Sequence, residues 1–172
     1  MGPESPSEWV VRWAPLVKSG PVLDVASGPG RHARLFAARG FEAVAVDRAP
    51  QQITGVKFVQ ADLESGNPWP FAGQRFGAIV VTNYLHRPLF KSIEDSLGEG
   101  GVLIYETFMV GNEKFGRPSN PAFLLREAEL LHAFPSLTPL AFEQGYMERP
   151  KAAMIQRLCA RRGRIGQVKI AP

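Results

Sequence analysis

This chain has little of several things, and each scarcity excludes a class of protein. It has one cysteine, Cys159, in 172 residues. An internal disulfide is therefore impossible, and a cysteine metal cluster is excluded; no metal ligand set is expected. No apolar run approaches the ~18 residues that a membrane span needs, so no membrane association is expected. The start, Met1-Gly2-Pro3-Glu4-Ser5-Pro6-Ser7, lacks the basic region and apolar core of a secretion signal, and Pro6 stands where a myristoylation pattern needs Ser or Thr. A cytoplasmic protein is the expectation. Surface-wide charge is also missing. Arg161, Arg162, Arg164 and Lys169, with no acid among residues 160–172, equal the whole net charge of +4, so residues 1–159 are formally neutral. That speaks against nucleic acid as partner, because phosphate binding needs several placed cations. The segment 161–172 reads as a solvated basic tail.

What is present is a globular composition, 45% hydrophobic and 21% charged, in a length that suits one domain over 1–172. A chain of this size buries about two-thirds of its unfolded surface. Apolar runs alternate with helical periodicity. Strands are predicted at 21–26, 42–47, 56–60, 76–82, 101–107, 137–145 and 152–161. Helices are predicted at 31–39, 88–97 and 122–134, the last opened by Asn120-Pro121. An amphipathic helix capped by Ser7 runs to about Val17, within an N-terminal segment 1–20. Alternation of this kind predicts a doubly wound, Rossmann-like α/β fold: helices on both faces of a mostly parallel seven-stranded sheet, three layers αβα. The last two strands have no helix between them and predict an antiparallel hairpin at one edge.

The most informative stretch is Val22-Leu23-Asp24-Val25-Ala26-Ser27-Gly28-Pro29-Gly30-Arg31-His32. A buried strand ends in Asp24, a loop with Gly28 and Gly30 follows, and a helix begins. Glycine permits a sharp turn and close ligand approach. In a dinucleotide frame the first and last glycines are replaced by Ala26 and Ala33. Ala26 fits that place if its φ stays negative. Asp47 closes the second strand, where a carboxylate can hold both hydroxyls of a ribose. Two carboxylates and no phosphate grip favour a cationic nucleoside over a nicotinamide dinucleotide, the cofactor of the competing oxidoreductase reading. His32, at the helix N-terminus, is expected neutral, because the dipole there disfavours an imidazolium.

This segment resembles motif I of class I S-adenosylmethionine-dependent methyltransferases, and most closely the small bacterial enzymes of the tellurite-resistance and thiopurine type. The resemblance extends over roughly residues 20–108. It implies S-adenosyl-L-methionine as cofactor, held by Asp24, Ala26, Ser27, Gly28, Gly30, Asp47 and Arg48. Gln60-Ala61-Asp62-Leu63 matches the adenine-binding stretch, with Asp62 and Leu63 at the ring. Ile79 to His86 matches the fourth strand and its exit, where Asn83 also meets the cofactor. Gly100 to Glu106 matches the turn into the fifth strand. Asn83-Tyr84-Leu85-His86 is not the Asn-Pro-Pro-Tyr motif of base-amino methylases. A small-molecule methyl acceptor is expected, with RNA or protein as the alternative, in a monomer or dimer.

At the fourth-strand exit, Tyr84, His86 and Arg87 are the candidate catalytic residues. His86 titrates near neutral pH and suits a base. Tyr84 suits the pocket wall, and the Arg87 fork suits an anionic acceptor. Should these not face the acceptor, Glu106 and the 109–121 loop are the next place for it. That loop is long and aperiodic, with Phe115 and Arg117 near its middle, and reads as a lid over the substrate. A salt bridge to a cation of the same loop is the competing role for Glu106. Trp69 and Phe71 seal the sheet edge or flank the adenine. His132, inside a C-terminal helix, is expected to be structural.

Overall fold

The computed structural model describes residues 5–164, 166 and 169. Its elements are α1 (Glu8–Trp13), β1 (Val22–Val25), α2 (Arg31–Ala38), β2 (Ala43–Asp47), β3 (Lys57–Gln60), β4 (Phe76–Thr82), α3 (Phe90–Asp95), β5 (Leu97–Phe108), α4 (Glu129–Ala133), β6 (Leu137–Met147) and β7 (Ala153–Arg162). All seven strands join one sheet in the order β3-β2-β1-β4-β5-β7-β6. β3 through β5 are parallel neighbours; β7 lies antiparallel between β5 and β6. The predicted Rossmann-like sheet with a C-terminal edge hairpin is therefore the observed one.

The layers follow from strand alternation. On β1, Leu23 and Val25 face one side with Ile93 of α3 and Leu130 of α4. Val22 faces the other side with Trp9, Val10 and Trp13 of α1 and Phe36 of α2. Trp9 and Trp13 meet edge to face at 5.6 Å and are buried. Rings of this size bury on the order of 150–250 Å² each, which is why so short a helix stays docked. Phe71 packs edge-on against Phe76 of β4, and the indole N–H of Trp69 donates to Ser96 Oγ at 2.9 Å just before β5, so both rings sit at the entry to two inner strands rather than at an edge strand.

Three predicted helices are shorter than their sequence pattern. The N-terminal one, expected to reach about Val17, ends at Trp13 and passes into a 3-10 turn at Ala14–Leu16, which carries Pro15. The 88–97 segment is a 3-10 turn (Arg87–Leu89) followed by α3, because Leu97 already pairs with Phe76 as the first residue of β5. The 122–134 segment is broken. A 3-10 turn occupies Pro121–Phe123, Leu125 pairs with Met109 beyond the end of β5, and only α4 is helical. Leu125 N–H donates to Phe108 O at 3.0 Å, and Val110 N–H to Leu125 O at 2.9 Å. A backbone already committed to a strand-like ladder cannot also close helical turns. Gln156, fully buried on β7, completes this corner by accepting from Leu130 N–H at 2.7 Å and donating to Arg126 O at 3.0 Å.

The basic tail also begins later than its composition implies. Arg161 and Arg162 are the last residues of β7, in register with Val102 and Leu137. Most of the remainder of the tail, residues 165, 167, 168 and 170–172, lies outside the described residues.

Candidate active site

The sheet order reverses between β1 and β4, so the loops leaving these two strands diverge and open a crevice at their carboxyl ends. Both exits turn through left-handed backbone. Ala26 has φ 52° and Asn83 has φ 54°. The expected negative φ of Ala26 is thus not observed. The turn demands the conformation that glycine usually supplies, and alanine adopts it at a cost of about 1–2 kcal/mol. Asparagine tolerates this region better. Gly30, at φ 78°, caps α2, and a Cβ there would run into Ile53.

The crevice holds a cleft of about 430 Å³. Of the predicted cofactor residues, Ala26, Asp47, Arg48, Asp62, Leu63 and Asn83 line it, together with the predicted pocket-wall residue Tyr84. Asp24, Ser27, Gly28 and Gly30 do not; Asp24 lies in β1 and the other three in the loop that leaves it. Asp47 accepts from Gly28 N–H at 2.8 Å and from Ala49 N–H at 2.9 Å. A carboxylate has about four acceptor sites, so two remain for the hydroxyls of a ribose. Asp24 is buried and accepts from Ala33 N–H at 3.0 Å. Burial pushes its pKa up to about 7, against the lowering effects of that amide and of Arg31.

Glu64, Thr107, Phe108, Pro118 and Phe123 also line the cleft and were not predicted. Thr107 and Phe108 end the fifth strand, Glu64 follows the predicted Asp62-Leu63, and Pro118 belongs to the 109–121 loop, so each had a neighbouring signal; Phe123, from the turn after that loop, had none. Tyr84 has its hydroxyl pKa raised, first by burial, then by the charge of Glu64 and a hydrogen bond to it, then by Asp62 and Asp47. Three carboxylates thus lie near one phenol, with Arg48 the one cation among the described residues that line the cleft.

The two other catalytic candidates stand apart from the cleft. His86 lines neither this cleft nor the cavity beside it. It heads the 3-10 turn at Arg87–Leu89, and its carbonyl accepts from Leu89 N–H, so the chain is already leaving the strand exit. Arg87 is not an acceptor anchor either. Its Nε and Nη2 grip both oxygens of Glu129 at 2.5 and 2.9 Å, and its remaining donors reach the carbonyls of Ala122 and Leu124. The guanidinium fastens the broken 122–134 segment to the sheet.

Beside the cleft is a second cavity of about 340 Å³, sharing Asn83 and Phe108 with it. Glu106, Asn112, Phe115 and Arg117 line it, so the fallback location is where a pocket exists. Glu106 pairs with Arg157 of β7 at 2.5 Å, rather than with a cation of the following loop. Residues Ser5 to Glu8 form the opposite wall. Ser7 ties that wall down: its N–H donates to His32 Nε2 at 3.0 Å, and its hydroxyl donates to Glu106 Oε1 at 2.7 Å. His32 is neutral as expected, but chiefly through burial, with Arg31 adding to it; together they lower its pKa to about 3. With Nε2 accepting, its Nδ1 carries the proton and faces Thr82 Oγ1 at 3.4 Å. Asn112 pins the 109–121 loop by donating to Pro118 O at 3.0 Å and accepting from Met154 N–H at 3.1 Å.

A cleft at the switch point of a seven-stranded sheet with one reversed strand is the ligand site of the doubly wound fold class. Residues 3–163 match the family described as a methyltransferase domain, and the chain belongs to that family. No curated protein matches it. Solved structures share the fold at low identity. TehB from Haemophilus influenzae superposes with TM-score 0.71 at 16% identity, over 90% of this chain and 61% of TehB. This chain therefore spans less than two-thirds of that protein's length. An S-adenosylmethionine dependent methyltransferase from Mesorhizobium loti gives 0.69 at 17%, over 94% of this chain and 100% of its own. The 1,6-didemethyltoxoflavin-N1-methyltransferase of Burkholderia thailandensis, solved with 1,6-didemethyltoxoflavin and S-adenosylhomocysteine, gives 0.64 at 19%, over 91% and 76%. No helix among the described residues is long and apolar enough to cross a membrane.

Proposed function

We propose that this protein is an S-adenosyl-L-methionine-dependent methyltransferase acting on a small organic molecule. The observation that carries the reading is the acidic cleft at the β1/β4 switch point, with Asp47 fixed by two backbone amides and still able to accept two hydroxyls. Its lining charges, Asp47, Asp62 and Glu64 against Arg48, suit a cationic nucleoside. Asp47 would hold the ribose, with Asp62 and Leu63 at the adenine. The loop of Ser27, Gly28 and Gly30, backed by Asp24, would hold the amino-acid end. The cofactor's sulfonium supplies an electrophilic methyl group. The protein's own part is alignment, which is worth roughly 7–11 kcal/mol in well-oriented reactions. Asn83 and Phe108, shared by both cavities, stand where donor and acceptor would meet. Tyr84 keeps its proton and serves as wall and hydrogen-bond donor. Glu106, ion-paired and hydrogen-bonded, positions the acceptor side.

The printed activity of the Burkholderia thailandensis enzyme supports a small-molecule acceptor over RNA or protein, as does the size of the second cavity, about 340 Å³ and near the lower end of ligand-site volumes. The oxidoreductase alternative gives way to the family assignment. A single cytoplasmic domain, monomeric or dimeric, with residues 109–121 as lid, completes the proposal. Calorimetric titration with S-adenosylhomocysteine and, separately, with NAD tests it. Micromolar binding of the first and none of the second is expected. The reverse pattern would overturn the assignment.

A further inference from the structure

The two cavities that meet at Asn83 and Phe108 carry opposite charge. The cofactor cleft is acidic. The second cavity is lined by Arg31, Arg117, Lys151 and Arg157 against Glu8 and Glu106. Several of these charges are engaged within the fold. Glu106 accepts from Arg157 and Ser7, and Arg157 also reaches Glu143 at 3.2 Å. Arg31 donates to Ser5 O at 3.3 Å. Arg117 and Lys151 have no carboxylate partner among the described residues. They come from the loop after β5 and from the β6–β7 connection, yet they line one cavity. The Lys151 ammonium lies 3.9 Å from the place a Cβ on Gly116 would take, next to Arg117 in the chain. A bound anion would find two cations there that no carboxylate of the fold engages. Phe108, Phe115, Met147 and Ile155 make much of the remaining wall apolar.

We infer that the methyl acceptor is an amphipathic organic acid. Its carboxylate is held by Arg117 and Lys151, its apolar body lies along Phe108, Phe115, Met147 and Ile155, and its accepting atom points to Asn83. Among the described residues of the wall, Glu8 is the one carboxylate without an ion pair, against two cations without one, so the cavity stays net positive. This inference rests on the reading of the second cavity as the acceptor site. Arg117 and Lys151 are both exposed, so substitution there leaves the core intact.

The test is calorimetry on the full chain saturated with S-adenosylhomocysteine. The probes are matched acids and amides: 4-hydroxybenzoate against 4-hydroxybenzamide, indole-3-acetate against indole-3-acetamide, and 1-naphthoate against 1-naphthamide. The acids are expected to bind about tenfold more tightly than their amides, the worth of one charge-assisted contact. The gap should vanish in R117A/K151A. R117E/K151E should prefer 4-hydroxybenzylamine instead. The inference is overturned if no acid binds, if acids bind no better than amides, or if the preference survives charge reversal. S-adenosylhomocysteine affinity is measured first in each protein. Its absence would refute the cofactor reading alone, since the acid–amide gap and its reversal can be read without it.

Discussion

The hydroxyl of Ser7 donates to Glu106 at 2.7 Å across 99 residues of sequence. The same oxygen accepts from Trp9 N–H and so caps α1. One side chain thus closes the N-terminal wall onto the fifth strand. Ser7→Ala should lower stability by about 1–3 kcal/mol, from a lost cap and a lost bond to a charged acceptor, measured by urea unfolding. S-adenosylhomocysteine affinity should be unchanged, because Ser7 lies on the acceptor side. A variant as stable as the wild type would show that the wall is held by Trp9 and Trp13 alone.

Asp47 carries the cofactor prediction. Asp47→Ala should weaken S-adenosylmethionine binding by about 2–4 kcal/mol, from charge-assisted bonds of roughly 1.5–3 kcal/mol each, partly replaced by water. Because Asp47 also holds Gly28 N–H, the loop loosens as the ribose contact is lost. Unchanged affinity by calorimetry would remove Asp47 from the site.

Arg87 is predicted to be a stability residue. Its side chain is 32% exposed and Glu129's is 12%, so the pair is only partly desolvated. Arg87→Ala should cost about 1–3 kcal/mol, below the 3–5 kcal/mol of a fully buried pair. Lysine should rescue little of this, since one ammonium cannot hold both Glu129 oxygens and two carbonyls. Burial works to raise the Glu129 pKa, but the Arg87 contact and the Arg126 N–H outweigh it and the net value is lowered. The pair's contribution is therefore present above the unfolded carboxylate range and is lost as pH falls through the lowered value. A larger effect on acceptor KM than on the melting temperature would contradict the assignment.

Asp24 gives a pH dependence of the opposite sense. Its folded pKa, raised to about 7 by burial, exceeds the unfolded value of 3.8. The folded state thus binds the proton more tightly, and this contribution, complete below pH 3.8, disappears as pH rises through 7. Asp24→Asn imitates the protonated form at every pH. The stability gap between variant and wild type, without cofactor, should widen in favour of the variant from pH 5 to pH 8. Taking the difference also cancels His32, whose lowered value makes stability fall as pH drops below 6.5. A gap independent of pH would mean that Asp24 is ionised throughout.

Phe115, in the 109–121 loop, and Phe123, just after it, line different cavities. Phe115, 38% exposed, lines the second cavity and lies against Tyr146; Phe123, 46% exposed, lines the cofactor cleft. Phe115→Ala should raise acceptor KM by about tenfold, the worth of part of a buried ring, with cofactor affinity kept. Phe123→Ala should do the reverse. These point changes leave Asn112 to anchor the loop, which deletion of residues 112–118 would not. Equal effects of both variants on both ligands would show that the loop does not discriminate between the cavities.

The sequence by itself determined the sheet, the glycine turn and the places of Asp24, Asp47, Asp62 and Asn83, because each rests on a signal within a few neighbouring residues. A run such as Ile79 to Thr82 must be buried whatever surrounds it, and Gly28-Pro29-Gly30 must turn. Tertiary structure decided what depended on partners far along the chain. Arg87 reads as an anion anchor until Glu129 meets it 42 residues later. The 122–134 pattern reads as a helix until Leu125 pairs beside Met109. The second cavity exists only because residues 5–8, the loop after β5 and the β6–β7 connection converge. A side chain's chemistry is local, but which charge it meets, and whether water remains beside it, is set by how the chain returns to it.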